Sequence, residues 1–273
     1  MHRRSFIGGT IAAAAAVLCG SPRAPAQGRW WSSLVFGLFE NHAFDRVAGL
    51  PSHQRLAREG TVLAQYFAVA HPSGPNYRAL VSGATWGRAE TVNTFHPSIA
   101  SAAAGLVPAV PTYIYHLAGT IAARHNPLVD LRAPVAGVRF GIDTLRDDLQ
   151  DGLPSPSLVY VGWDDDNNMH DGAPARADAN LTALLNLLAA SSWFTSPDPQ
   201  GRYPAFFFCY DEGDLRDNRV FAAWWGPGVR SGIISQMPHT HFSFCRTATE
   251  NWGVPPLQRG ADESPIAEPW SER

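Results

Sequence analysis

Serine, carboxylate, amide and histidine side chains at a few positions of this chain are the groups that could do chemistry. The first is in His71-Pro72-Ser73-Gly74-Pro75-Asn76-Tyr77, which runs into Arg78-Ala79-Leu80-Val81-Ser82-Gly83. This pattern predicts a short helix. Pro75 suits a first turn, where its missing N–H would have been unpaired, and Gly83 supplies the stop about two turns later. Unpaired N–H groups and the positive end of the helix dipole favour an alkoxide at Ser73 and any phosphate attached to it. Ser73 is therefore the candidate nucleophile, with an ordinary N-cap serine as the alternative for this segment alone. Asn76, just inside the helix, either donates to a phosphoryl oxygen or makes a first-turn hydrogen bond.

Two further segments end in oxygen-rich residues. Leu34-Val35-Phe36-Gly37-Leu38-Phe39 is followed by Glu40-Asn41, and Ala205-Phe206-Phe207-Phe208-Cys209-Tyr210 by Asp211-Glu212-Gly213-Asp214. Carboxylate and amide oxygens are hard donors suited to Mg, Ca or Mn, and Zn also accepts carboxylate. Glu40, Asn41, Asp211 and Glu212 are thus expected to hold one divalent cation, with Asp214 given less weight. Two histidines stand in similar company. His170 lies in Asn167-Asn168-Met169-His170-Asp171-Gly172, four residues after Asp166, and His241 follows Thr240. A helical turn would bring Asp166 and His170 to one side, and either histidine suits proton transfer.

Positioning these groups falls to strands. Short continuous apolar runs fit the inner strands of a parallel sheet covered by helices on both faces, and ligand sites in such sheets lie beyond the carboxyl ends. Leu34–Phe39, Ala205–Tyr210 and the run ending at Trp163 all read this way. The expected fold is α/β, with a largely parallel central sheet and helices on both faces. Residues 178–190 predict a helix with Leu181, Leu184, Leu185 and Leu188 on its core face. Residues 91–153, rich in Ala, Pro and Val, read as an insertion or cap that governs substrate choice. Cys209 and Cys245 read as buried thiols.

Taken together, these segments resemble the phosphoesterase family of bacterial acid phosphatases and phospholipase C enzymes, within the alkaline phosphatase superfamily. The resemblance rests on ENHAFD (40–45), HPSGPNY (71–77), RHNP (124–127), NNMHDG (167–172), YDEGD (210–214), GPGVRSG (226–232), THFS (240–243) and RTATENWGVPPL (246–257). It implies a nucleophilic Ser73, metal coordination by Glu40, Asn41, Asp211 and Glu212, and phosphate contact or proton transfer by His125, His170 and His241. Family members commonly carry aspartate where Asn168 stands, so one metal is expected rather than two. A sulfatase would require Cys/Ser-x-Pro-x-Arg, and here Tyr77 takes the arginine's place. The implied function is hydrolysis of small phosphomonoesters through a phosphoserine. A phospholipase C or other phosphodiesterase is the alternative, and a catalytically silent surface or periplasmic binding protein is the non-enzyme one.

Composition and the amino terminus narrow the setting. All 21 basic residues of the 273-residue chain are arginine, which excludes a Schiff-base or phosphate-loop lysine. Arg3-Arg4 with the short apolar stretch from Ala12 reads as a twin-arginine-type leader ending at Ala26, too short for a membrane span. The expected product is a single domain, 27–273, in the periplasm or secreted. Its 18 arginines against 24 acidic residues, a net charge of −6, argue against nucleic acid as a partner. The expected partners are a small phosphorylated substrate and, through the leader, the export machinery.

Overall fold

The computed structural model of the chain describes residues 28–213 and 217–270. The leader expected at 1–26 and Asp214 fall outside the described residues. In chain order the elements begin with β1 (Leu34–Phe39), α1 (Phe44–Val47), α2 (Pro51–Glu59), β2 (Thr61–Leu63), β3 (Tyr66–Phe67), α3 (Ser73–Ser82) and α4 (Ile99–Ala104). Next come β4 (Thr112–Ala118), α5 (Pro127–Asp130), β5 (Gly137–Phe140), α6 (Ile142–Asp151), β6 (Leu158–Trp163), α7 (Pro174–Ala190) and α8 (Ser192–Thr195). The chain closes with β7 (Ala205–Tyr210), β8 (Ala222–Trp225), β9 (Ile233–Ser235), β10 (His239–Thr240) and α9 (His241–Asn251), and short 3₁₀ turns lie at Ala123–His125 and Gln258–Asp262.

Eight strands form one sheet in the order β5-β4-β6-β1-β7-β8-β2-β9, while β3 and β10 pair separately. Only β8 runs antiparallel to its neighbours in that sheet. The expected α/β fold with a mostly parallel sheet and flanking helices is what the chain adopts. On one face α3 packs against α9 and α4; on the other α2 meets α7, α7 meets α8, and α8 meets α6. This double cover explains the unbroken apolar runs, because every residue of β1, β6 and β7 is buried and neither face has a use for polar side chains. Helix α7 buries Leu181, Leu184, Leu185 and Leu188, as its spacing predicts. Cys209 and Cys245 are buried and unpaired.

The region 91–153 departs from the expected cap. Strands β4 and β5 within it belong to the main sheet and α6 packs on β4. Strand β5 is an edge with three exposed residues, so it lacks the apolar run that marks an inner strand. The stretch from about Ala84 to Ser98, without regular structure, lies as a strap against α3, held by Arg78.

Parallel register fixes what the carboxyl ends present. Strand β1 pairs with β7 from Leu34↔Ala205 through Phe39↔Tyr210, and with β6 from Leu34↔Leu158 to Gly37↔Val161. Residues just past β1, β7 and β6 therefore emerge side by side. Backbone bonds continue the contact, with Asp211 N donating to Phe39 O at 3.0 Å and Glu40 N to Asn168 O at 2.9 Å. Helix α9 is set over the sheet by Phe244, whose ring stands 4.3 Å from that of Phe207 and 5.7 Å from that of Phe36.

Candidate active site at the carboxyl ends of the sheet

Helix α3 starts where the sequence places it. Pro72 precedes the helix, Ser73 is its first residue, and Gly83 ends it in the left-handed conformation at φ 72°. The serine does not cap. Its hydroxyl donates to Glu40 Oε2 at 3.1 Å and lies 3.5 Å from Glu212 Oε1, which removes the N-cap alternative. Pro75 leaves the first turn one N–H short, and the Gly74 N–H beside the serine is taken by Glu90 Oε2 at 3.0 Å.

Beyond β1 and β7 the three carboxylates Glu40, Asp211 and Glu212 are buried, at 0%, 0% and 9% exposure. Burial and the charge of Asp211 push the Glu40 carboxyl well above its ordinary range. Burial and the charge of Glu212 push Asp211 up likewise. Glu212 is pushed up to about 7, by burial and then by Glu90. Buried like charges disfavour one another unless a cation lies among them. Asp211 Oδ2 is buried with no hydrogen-bond partner. An unpaired buried carboxylate oxygen is costly, and its position among hard donors around a serine fits a divalent cation. Asn41 N donates to Asp211 Oδ1 at 3.0 Å, while its exposed side chain sits on a residue at φ 55° at the mouth of the site.

The histidines divide. His125 Nε2 stands 3.3 Å from Glu40 Oε1 and its Nδ1 3.0 Å from Asp165 Oδ1. Burial, and then the neighbouring Arg124, lower its pKa to about 4. His170 comes in from the 164–172 loop with its Nδ1 2.8 Å from Asp171 Oδ1, and its ring centroid is 5.4 Å from that of His125. Donor atoms of Glu40, His125 and His170 lie within 4.8 Å of one another, as do those of Asp165, His170 and Asp171. These are the candidate metal-binding groupings among the described His, Asp and Glu residues; they include Glu40 but not Asp211 or Glu212. His241 is fully buried, its Nε2 2.7 Å from the Asp211 carbonyl and its Nδ1 3.2 Å from the Tyr66 hydroxyl. Burial holds its pKa down at about 4, so it is neutral, donates from Nε2, and fixes the Asp211 backbone.

Asn76 is equally occupied. Its Oδ1 accepts from Val69 N and Ala70 N at 2.9 Å each, and its Nδ2 donates to Ala70 O at 2.9 Å and Pro72 O at 3.4 Å. The amide holds the turn beneath Ser73 instead of facing outward. Asp166 is exposed and no helix forms around it; the neighbouring Asp165 is the residue that reaches His125. The structure adds groups to which the sequence reading gave no role. Tyr77 OH donates to Glu40 Oε1 through a short contact, and His71 Nδ1 is 2.6 Å from Glu212 Oε2. Tyr77 lies four residues after Ser73, on the same helical face, which is the signal that could have found it. Glu90 had no such signal, because a loop joins it to the helix.

No protein-family model matches the chain. It is 29% identical to a phosphate-repressible acid phosphatase of Penicillium chrysogenum, over 91% of this chain and 65% of that protein. It is 27% identical to a phosphatidylinositol-3-phosphatase of Mycobacterium tuberculosis, over 89% of this chain and 84% of that protein. Among solved structures, a protein in the alkaline phosphatase superfamily from Vibrio parahaemolyticus superposes with a TM-score of 0.65 at 12% identity, covering 89% of this chain and 72% of that one. The chain thus shows superfamily-level similarity to the alkaline phosphatase and sulfatase superfamily, with phosphatases as its distant sequence relatives.

Proposed function

We propose that this chain is an exported, metal-dependent phosphoesterase that hydrolyses small phosphomonoesters through a phosphoserine at Ser73. The observation that carries the reading is the Ser73 hydroxyl at the N-terminus of α3, pointed at Glu40 and Glu212. The orphaned Asp211 Oδ2 supports a cation held by Glu40, Asp211, Glu212 and Ser73, with Asn41 at the mouth. Zn, Mg, Ca and Mn all accept such a donor set. When bound, that ion would lower the serine's pKa and neutralise charge on the phosphoryl oxygens.

The chain's own groups do the rest. The carboxylates receive the Ser73 proton, and Ser73 Oγ attacks phosphorus as the leaving oxygen departs on the opposite side. His170, part-exposed beside Glu40 and His125, is placed to protonate that oxygen and then to take a proton from the water that cleaves the phosphoserine. His125, whose Nε2 stands 3.3 Å from Glu40 Oε1, would contact the phosphoryl group. His241, committed on both nitrogens, and Asn76, committed to the 69–72 turn, keep Asp211 and Ser73 in place. Such fixed polar groups stabilise charge in the transition state because they need not reorient.

No described helix is long and apolar enough to cross a membrane. The test is a parallel assay of a chromogenic phosphomonoester, a soluble diester and short-chain phosphatidylcholine, before and after exhaustive chelation. The expected result is the highest kcat/KM on the monoester, lost on chelation and restored by a divalent cation. A higher value on either diester moves the assignment to a phosphodiesterase.

A further inference from the structure

The Gly74 N–H is the main-chain donor next to the Ser73 hydroxyl, the position from which it would serve a phosphoryl oxygen. In this structure a carboxylate of the chain itself takes it: Glu90 Oε2 accepts from Gly74 N at 3.0 Å. The contact is built rather than casual, because the backbone around Glu90 is fastened on both sides. Fully buried Arg78, one turn along α3, donates to Thr85 O at 2.7 Å, Ala89 O at 2.5 Å and Glu90 O at 3.0 Å. It also pairs with Asp130 Oδ2 at 2.9 Å, whose other oxygen accepts from Val92 N at 2.7 Å and Asn93 N at 2.8 Å. The strap lies so close that a Cβ on Gly74 would come within 2.0 Å of the Glu90 carbonyl oxygen. Glu90 itself is exposed, so its side chain can swing while the main chain stays fixed.

We infer that Glu90 is a specificity-determining residue whose carboxylate competes with phosphoryl oxygens for the Gly74 N–H and weakens retention of dianionic phosphate. This rests on the phosphoesterase reading above. A carboxylate oxygen and a phosphoryl oxygen are equivalent acceptors to an amide, so a bound phosphoryl group must displace Glu90 or share its place. The negative charge then opposes an ester with two charges more than one with a single charge. After hydrolysis the same carboxylate reclaims the amide as inorganic phosphate leaves, which limits product inhibition.

The test is Glu90→Gln, which keeps shape and an acceptor oxygen but removes the charge. It is read as the inhibition constant of inorganic phosphate and as kcat/KM on a monoester and on a diester, using the metal-loaded protein. Removing one like charge a few Å away in a partly solvated cleft is expected to tighten phosphate about tenfold. It should also raise the monoester-to-diester ratio of kcat/KM. Calorimetric titration with inorganic phosphate gives the same affinity without turnover, and thermal melting checks that the exposed substitution leaves the fold intact. An inhibition constant that is unchanged or weaker in Glu90→Gln, with wild-type protein active on phosphate esters, overturns the role of Glu90 alone. Wild-type protein that neither cleaves the esters nor binds phosphate overturns the phosphoesterase reading and this inference with it.

Discussion

In the proposed mechanism Ser73 contributes chemistry without holding up the core: its hydroxyl contacts carboxylates, and the helix it begins is secured by Gly83, Arg78 and packing on α9. Ser73→Ala is therefore expected to lower turnover by roughly 10³-fold or more, with an unchanged melting temperature. Acid-quenched enzyme should carry phosphate on Ser73 in the wild type and none in the variant. Near wild-type turnover would shift attack to water. Asp211 is in the opposite position, since its unpartnered oxygen and buried charge are tolerable chiefly with a cation beside them. Asp211→Asn should lower metal content per chain as well as rate. Elemental analysis showing undiminished metal would move the site elsewhere.

At the scale of elements, the strap and α3 are one assembly held by an ion pair between side chains 0% and 2% exposed, Arg78 and Asp130. Asp130→Ala leaves a buried guanidinium without its partner and frees the amides of Val92 and Asn93. The expected loss is about 3–5 kcal/mol of stability, measured by denaturant unfolding. Loss under about 1 kcal/mol would mean that Arg78 finds compensation in the strap carbonyls. The other end of α3 is equally constrained. Gly83 is at φ 72°, and a Cβ there would sit 2.2 Å from Leu257 O. Gly83→Ala is expected to destabilise by more than ~1 kcal/mol and to lower activity through the displaced helix.

Across the whole molecule, the carboxyl-terminal segment closes over β9 and β10. Trp270 stacks on Trp30, packs tilted against Trp31 and meets Trp224 edge-on, and Glu268 accepts from Ser235 Oγ and contacts His239 Nε2, each at 2.8 Å. Burial opposes its charge, but the hydrogen bonds from His239, the backbone and Ser235 outweigh that and hold the carboxyl down at about 2, against an ordinary 4.5. A carboxylate with a depressed folded pKa binds fewer protons in the folded state than in the unfolded one, so its stabilisation is complete above about 4.5. It is lost as pH falls through about 2. Glu268→Gln should consequently reduce stability near neutrality, and its deficit relative to wild type should shrink between pH 5 and pH 2 in urea titrations. A deficit independent of pH would assign the effect to packing of the tail.

Local pattern was enough for the elements that begin or end at the site. Continuous apolar runs marked β1, β6 and β7, because only strands covered on both faces can spend every position on apolar side chains. Proline and glycine placed the two ends of α3, because each acts on the backbone of its own turn. The oxygen-rich residues after β1 and β7 were legible for the same reason. What each side chain touches was decided by parallel register, which brings Glu40 beside Asp211 although 170 residues separate them in sequence. Packing of α9 likewise turned His241 toward a backbone carbonyl, and the 69–72 turn claimed the amide of Asn76. Glu90 and strand β5 were illegible to local reading, because an exposed carboxylate and an exposed edge strand carry no periodic signal. The sequence determines which groups gather at the ends of the strands; tertiary contacts decide which remain free to react, because each buried polar atom must first satisfy its own neighbours.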